Sequence, residues 1–150
     1  MRLRDLLDES VVKIGLESTD KEECFEELID LLVRSGRLAS REAALAAVAA
    51  RESTATTGIG RGCAIPHGKD PSIKTLTVAI GTSAAGIEFD AVDGELVHLV
   101  ILILANADEP GPHVQALAEV VRLLKLPGCY NTLVAARSAK ALLDAIDAVE

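Results

Sequence analysis

Residues 57 to 68 read TGIGRGCAIPHG, and the last but one of them, His67, has the side chain best suited to act as a nucleophile or base. Pro66 fixes its own φ angle and biases the preceding residue toward extended geometry, and Gly68 leaves the far side uncrowded. The imidazole is therefore expected at a constrained and open position. A neutral imidazole held in this way is a candidate nucleophile or base, and the alternative is a turn histidine without chemistry.

His113 and Arg51 are two further residues that suit the binding of an anion. The stretch PGPH places His113 in the first turn of a predicted helix, where free amides and the helix dipole favour a phosphate. Arg51 ends a predicted alanine-rich helix just before the glycine stretch, and a guanidinium can bind two phosphate oxygens at once. Each residue also has a structural alternative, because His113 could pack over the turn and Arg51 could neutralise the end of its helix.

The glycines of this stretch stand at every second position, at Gly58, Gly60 and Gly62. Their spacing differs from the GxGxxG of dinucleotide-binding folds, and no GK[ST] follows as in a P-loop. In an extended segment, alternate glycines leave one face without side chains, where a ligand or another backbone segment can approach closely. The pattern permits such an approach without specifying its partner.

The third histidine and the cysteines are assigned structural roles. His98 begins a predicted buried strand, which favours a hydrogen-bonded histidine of the core. No CxxC pair occurs, so neither a disulfide framework nor a zinc ribbon is indicated for the three cysteines, Cys24, Cys63 and Cys129. Cys63 lacks a further ligand at helpful spacing with His67 and His113, so we expect a small apolar residue and no metal.

The composition sets limits on the domain and its partners. No linker, low-complexity tract or repeat divides the 150 residues, and we expect residues 1–150 to form one domain. The net charge of -8 argues against binding to nucleic acid or anionic lipid, since both need clustered Lys and Arg. The start of the chain has no signal-peptide pattern, and the longest apolar run, residues 99–105, is too short to span a bilayer. These features predict a cytoplasmic protein.

Three segments have strand patterns. VVKIGLE, residues 11–17, is a candidate first strand, and TLTVAIGTS, residues 75–83, alternates in the way of a half-buried strand. VHLVILILA, residues 97–105, is apolar on both faces, as expected of a central strand covered on both sides.

Helices occupy much of the remaining chain. N-cap residues are expected at Thr19, where Glu22 completes a capping box, and at Ser40 and Ser138. The helix that has His113 in its first turn is expected to bury a stripe formed by Val114, Leu117, Ala118 and Val121. The pattern predicts an α/β fold with a mixed β-sheet inside and helices outside.

RESTATTGIGRGCAIPHGK, residues 51–69, closely resembles the active-site segment of the enzyme IIA proteins of the bacterial phosphoenolpyruvate-dependent sugar phosphotransferase system. The class is the mannitol/fructose class, type 2, which includes the nitrogen-regulatory proteins. The resemblance extends over nearly the whole chain, including FDAVDGELVHLVILILA and the second histidine. It departs mildly at Cys63, where an aliphatic residue is usual, and at Val114, where leucine is common. It implies a single-domain sandwich with a mixed central β-sheet flanked by helices.

The resemblance implies a phosphotransferase with a phosphohistidine intermediate. His67 would accept a phosphoryl group from the histidine-containing phosphocarrier protein, His113 would lie beside it and help to hold the group, and Arg51 would steady the phosphate charge. Phosphoryl transfer needs an in-line nucleophile and donors for the equatorial oxygens. We expect backbone amides of Gly58, Gly60 and Gly62 to be among those donors, and no metal, nucleotide or other cofactor to be required.

The destination of the phosphoryl group stays open at this point. One reading is a sugar-specific enzyme IIA that passes the group to a IIB domain during fructose- or mannitol-type uptake. The other is a regulator whose partners distinguish the phosphorylated from the unphosphorylated form. The motif AIPHGK and the lack of attached IIB or IIC domains in these 150 residues favour the nitrogen-regulatory branch. A metal-binding domain, with an ion at His67 and His113, is a less favoured alternative. An inactive scaffold is disfavoured because Arg51, His67 and His113 occur together.

Overall fold

A computed structural model describes all residues from Met1 to Glu150. Its strands are β1 (Val12–Ile14), β2 (Gly58–Gly60), β3 (Cys63–Ala64), β4 (His67–Asp70), β5 (Thr77–Ile87) and β6 (Val97–Asn106). They form one six-stranded sheet in the order β1-β5-β6-β3-β2, and β4 also pairs with β6. The β5–β6 and β2–β3 pairs are antiparallel, whereas β1–β5, β3–β6 and β4–β6 are parallel, so the predicted mixed sheet is confirmed.

Five α-helices flank this sheet. They are α1 (Lys21–Arg34), α2 (Arg41–Glu52), α3 (Pro110–Lys125), α4 (Cys129–Ala135) and α5 (Ala139–Val149), preceded by short 3₁₀ helices at Leu3–Leu6 and Glu9–Val11. Helices α1 and α2 pack against each other, with α1 on β5 and α2 on β4, while α3 and α4 pack on β6. No helix of the chain has both the length and the apolar character that crossing a bilayer requires.

Strand β6 forms the centre of the hydrophobic core. Its residues 99–105 are all buried, in agreement with the prediction of a central strand. The core is almost entirely aliphatic, and its one aromatic pair is Phe25 and Phe89, which meet edge-on with ring centroids 5.7 Å apart. Strand β6 bonds to β5 on one side and to β3 and β4 on the other, so it fixes the position of the strand that begins at His67.

The helix caps agree with the sequence analysis at two of three positions. Ser40 and Ser138 accept hydrogen bonds from the amides of the third helical residues, as expected. At α1 the predicted cap is wrong by one residue, because Asp20 is the N-cap and accepts from the amide of Glu23. The Glu23 carboxylate, not that of Glu22, returns to the amide and hydroxyl of Thr19. A carboxylate caps as well as a hydroxyl does, so the helix begins after Asp20.

Two predictions of burial are also corrected. Strand β5 is not half-buried, since its residues 77–83 are all buried on both faces beneath the helices. In α3 the buried face is Ala116, Glu119, Val120 and Leu123, whereas Val114, Ala118 and Val121 of the predicted stripe are exposed. Both sets have the same helical spacing, so the period was correct and the phase was not. Glu119 can enter the buried face because Arg122 binds its carboxylate through two nitrogens.

Candidate functional site

His67 lies at a break in the sheet. Strands β3 and β4 follow the same edge of β6 in parallel, and Ile65 and Pro66 separate them. The Ile65 amide donates to the Thr57 carbonyl, while the Pro66 carbonyl accepts from the Ile103 amide. Proline has no N–H with which to continue the ladder, so the pairing is interrupted there and resumes in the same register with His67 opposite Ile103. The backbone of the candidate nucleophile is thus held on the central strand.

Helix α3 brings His113 against His67. The two ring centroids are 5.3 Å apart and the ring planes are inclined by 71°. The helix begins at Pro110, which puts His113 at its fourth residue. Because Pro110 and Pro112 carry no N–H, the helix start offers fewer free amides to an anion than the sequence analysis expected. The imidazole of His113, rather than the helix terminus, is the group that faces the neighbouring ring.

The tautomer of His67 follows from its hydrogen bond. Its Nδ1 is 2.8 Å from the Ile65 carbonyl oxygen, and a carbonyl only accepts, so Nδ1 carries the hydrogen. In the neutral ring Nε2 then holds a free lone pair. Burial lowers the pKa of His67, and the positive charge of Arg51 lowers it further, against opposing contributions from the Ile65 hydrogen bond and Glu52. The neutral, nucleophilic form is therefore favoured at neutral pH.

His113 contributes an unsatisfied polar atom. Its Nε2 is buried and has no hydrogen-bond partner, the one side-chain nitrogen or oxygen in the chain of which this is true. Burial lowers the pKa of His113, and the neighbouring His67 and Lys69 lower it further. Buried polar groups are normally paired, and in the tautomer that carries its hydrogen on Nε2, His113 can donate to an oxygen of a ligand beside His67.

Arg51 occupies the last turn of α2 and lines a pocket together with His67 and His113. Its Nη1 donates to the Thr54 hydroxyl at 3.2 Å and to the Ala55 carbonyl at 2.9 Å, and no carboxylate pairs with it. A guanidinium has five N–H donors, so this half-exposed side chain keeps donors for an anion. The predicted neutralisation of the helix end and the predicted phosphate contact are compatible with this one position.

Glu52 fixes the turn that follows Arg51. Its buried carboxylate accepts from the Thr57 amide at 2.9 Å and from the Thr57 hydroxyl at 2.6 Å, and Lys21 lies 3.5 Å away. These bonds tie the end of α2 to the start of the glycine stretch. This role of Glu52 is not predicted from the sequence, where the available signal is a carboxylate directly after a candidate phosphate ligand.

The pocket itself has a volume of about 410 Å³. Its lining joins α2, β4 and α3 and consists of Ala47, Ala50, Arg51, His67, Gly68, Lys69 and His113. Arg51, His67 and His113 are thus brought together, as the sequence analysis expected. The other lining residues were missed, because an alanine or a lysine carries no motif and only the packing of α2 on β4 assembles them.

The three glycines of the predicted phosphate-binding stretch do not line this pocket. A Cβ on Gly58 would lie 2.9 Å from Ala91, one on Gly60 would lie 3.2 Å from the Asp93 carboxylate, and one on Gly62 would meet the Tyr130 hydroxyl. Gly60 and Gly62 also adopt φ angles of 95° and 79°, in the left-handed region that favours glycine. Close packing against the protein itself therefore accounts for the absence of side chains here.

The residues assigned structural roles have them in the structure. His98 Nδ1 is 2.8 Å from the Ser83 carbonyl oxygen, which confirms a hydrogen-bonded histidine outside the pocket. All three cysteines are buried and unpaired, and burial raises the pKa of Cys63 to about 12, as befits an unreactive thiol. No group of three or more His, Cys, Asp and Glu side chains is placed to hold a metal ion.

The mixed sheet flanked by helices is the fold of the α/β phosphotransferase domains that carry phosphoryl groups via histidine. More particularly, residues 5–149 match the family model described as "Phosphoenolpyruvate-dependent sugar phosphotransferase system, EIIA 2". The chain belongs to this EIIA family, whose members are phosphotransferase domains.

Three known proteins illustrate the similarity. The fructose-specific EIIA component of Haloferax volcanii is 40% identical over 126 residues, covering 84% of this chain and 82% of that protein. The fructose-specific EIIABC component of Bacillus subtilis is 35% identical over 98% of this chain, but the chain spans only 23% of its length. The crystal structure of the nitrogen regulatory protein IIA-Ntr from Neisseria meningitidis has a TM-score of 0.88 at 28% identity, covering 96% of this chain and 98% of that one.

Proposed function

We propose that His67 Nε2 accepts a phosphoryl group from the histidine-containing phosphocarrier protein and passes it to a further partner. The observation that carries this proposal is the 2.8 Å hydrogen bond from His67 Nδ1 to the Ile65 carbonyl, which leaves Nε2 as the free nitrogen. The domain in which this occurs comprises residues 1–150. It works in the cytoplasm, where phosphoenolpyruvate-dependent donors act.

The chemical step balances without a cofactor. The Nε2 lone pair attacks phosphorus in line, the nitrogen–phosphorus bond of the donor breaks, and the donor imidazole keeps that electron pair. The His67 ring gains positive charge. Its Nδ1–H keeps its hydrogen bond to the Ile65 carbonyl, and this bond stabilises the charged ring. The reverse of this step delivers the group to an acceptor. A carrier of this kind needs positioning and charge stabilisation but no separate base.

The phosphoryl oxygens require donors, and two side chains are suitably placed. The buried Nε2 of His113 lacks any partner, and the Arg51 guanidinium lacks a carboxylate. We assign both to the equatorial oxygens. Donors that are already in position stabilise the developing charge without the reorganisation that water would need.

The role of His113 predicts a slowed but not abolished reaction for His113→Ala. Loss of one prearranged donor typically lowers the rate by about 10²-fold, and the acceptor His67 remains. Time courses of intact mass after mixing with phosphorylated donor measure this rate. Val114→Ala, one position further along the same helix and exposed, is the matched control and keeps the wild-type rate. A His113→Ala protein that reacts as fast as wild type would remove His113 from the site.

The lowered pKa of His67 predicts the pH dependence of phosphoryl uptake. The neutral ring is the reactive form, and protonation ties up Nε2, so the rate falls as the pH drops through the His67 pKa. Because burial moves that pKa down, the midpoint is expected below the usual value of about 6.5, and the rate stays level above neutrality. An NMR titration of the His67 ring, together with rates from pH 4 to pH 8, checks the sign. A midpoint above the usual value would contradict the assignment.

The proposal as a whole is tested by intact mass after incubation with phosphoenolpyruvate, enzyme I and the phosphocarrier protein. One acid-labile phosphoryl group per chain is the expected result, with a reaction lacking enzyme I as the control. No gain of mass in the presence of donors that phosphorylate a known enzyme IIA would sink the proposal.

Two destinations of the phosphoryl group each have support. The 40% identity to a fructose-specific EIIA component favours transfer to a IIB domain, and the TM-score of 0.88 to a nitrogen regulatory protein favours a regulator. Incubation of the phosphorylated protein with a purified fructose-class IIB domain separates them. Rapid loss of the group to IIB supports the transport reading, whereas retention of the group supports the regulatory one.

A further inference from the structure

Lys69 is, after Arg51, the second positively charged side chain that lines the pocket of His67 and His113. Strand β4 runs from His67 to Asp70, and side chains two residues apart on a strand lie on the same face, so Lys69 shares the face of His67. Both residues line the pocket together with Arg51 and His113. Gly68, between them, faces the backbone of α2 instead.

The charge of Lys69 is uncompensated in the structure. Its ammonium is not among the nine side-chain ion pairs of the chain. The neighbouring Asp70 lies on the opposite face of the strand, and its carboxylate accepts from the amide and the hydroxyl of Ser72. No carboxylate lines the pocket. In a chain with a net charge of -8, two cations face one cavity without an acid.

We propose that the Lys69 ammonium is a further phosphoryl-binding group, which neutralises negative charge on the group that His67 carries. The inference rests on the proposed function, because it needs a phosphoryl group at His67. Arg51 approaches from α2, His113 from α3 and Lys69 from the sheet, so each element that lines the pocket contributes one donor. Burial lowers the pKa of His113 most, and the charges of His67 and Lys69 lower it further, in agreement with a Lys69 ammonium close to the pocket.

Lys69→Gln tests this role, with Lys69→Arg as the conservative variant and Lys74→Gln as the matched control. Lys74 is exposed, lies outside the pocket and forms no ion pair. Phosphoramidate serves as a small chemical phosphoryl donor, and the phosphorylated phosphocarrier protein serves as the protein donor. The small donor has no docking surface, so its rate depends on the pocket alone.

We expect Lys69→Gln to slow phosphorylation about tenfold with either donor, less than for a buried donor because water screens an exposed ammonium. With the protein donor, the loss appears in the rate at saturation and not in KM. Lys69→Arg restores most of the rate, and Lys74→Gln matches wild type. In the NMR titration, the pKa of His113 is expected to rise in Lys69→Gln. Unchanged signals from the other histidine rings would show that the fold is intact and that the rise comes from the lost charge.

Each contrary result has a distinct meaning. Lys69→Gln with wild-type rates for both donors overturns the inference while leaving the phosphocarrier function intact. An unchanged rate with phosphoramidate but a raised KM for the protein donor also overturns it, since Lys69 would then bind the donor protein and not the phosphoryl group. Failure of the wild-type protein to accept a group from either donor defeats the proposed function itself.

Discussion

His67→Asn is expected to abolish acceptance of a phosphoryl group. An asparagine amide places its N–H close to where Nδ1 lies in histidine, so it can keep the hydrogen bond to the Ile65 carbonyl while the nucleophilic Nε2 is removed. The pocket and the fold therefore stay in place and only the acceptor is lost. Intact mass under conditions that fully phosphorylate the wild-type protein is the measurement, and no gain of mass is expected over many wild-type half-times.

The chain provides a matched control for this substitution at His98. That ring makes the same kind of bond, from Nδ1 to the Ser83 carbonyl at 2.8 Å, but lies outside the pocket. His98→Asn should keep full phosphorylation. If His67→Asn gained a phosphoryl group as the wild type does, the acceptor would have to be another residue, and peptide mapping would show whether it is His113.

Gly68→Ala is expected to damage both stability and phosphoryl transfer. A Cβ at this position would lie 2.8 Å from the backbone carbon of Ala47 and from the amide nitrogen of Val48. Backbone atoms of a helix cannot turn aside as a flexible side chain does, so α2 and β4 must move apart. Overpacking of this kind costs about 1–3 kcal/mol in the free energy of unfolding.

The same displacement separates the groups of the site, since α2 carries Arg51 and β4 carries His67. A shift of about 1 Å between reacting groups can reduce a rate by about 10²-fold. Urea denaturation measures the stability and intact-mass time courses measure the rate. Gly111→Ala is the control, because a Cβ there meets nothing within 4 Å and its φ is ordinary for any residue. A Gly68→Ala protein with wild-type stability would show that the close packing of α2 on β4 is not required.

The residues of the site were more predictable than their arrangement. Pro66 and Gly68 mark His67 in the sequence, and the PGPH turn marks His113, because proline and glycine restrict the backbone locally. The free nitrogen of His67 could not be predicted, since it depends on where the Ile65 carbonyl points. Lys69 and Ala47 line the pocket only because α2 packs on β4, and no local sequence pattern predicts that contact.

The fold was likewise predictable where it depends on the local sequence pattern, and not where it depends on tertiary packing. The apolar run in β6 and the helix pattern of α3 were both recognised, but the buried face of α3 was placed wrongly. Apolar residues occupy much of the circumference of this helix, and the choice of face was decided by tertiary packing and by the Glu119–Arg122 pair. The alternate glycines likewise permitted a close approach, and the approaching groups are Ala91, Asp93 and Tyr130 of the chain itself.

The parallel pairing of β4 with β6 also has a consequence for the order of folding. His67 acquires its position from Ile103, which lies far along the chain, whereas α1 and α2 are built from contacts between near neighbours. Such distant pairing carries a large loop-closure entropy and is expected to form late. A nascent or partly folded chain would then lack an assembled acceptor. We expect the capacity to accept a phosphoryl group to appear only with the last stage of folding. Incompletely folded molecules would then not take phosphoryl groups from the donor protein.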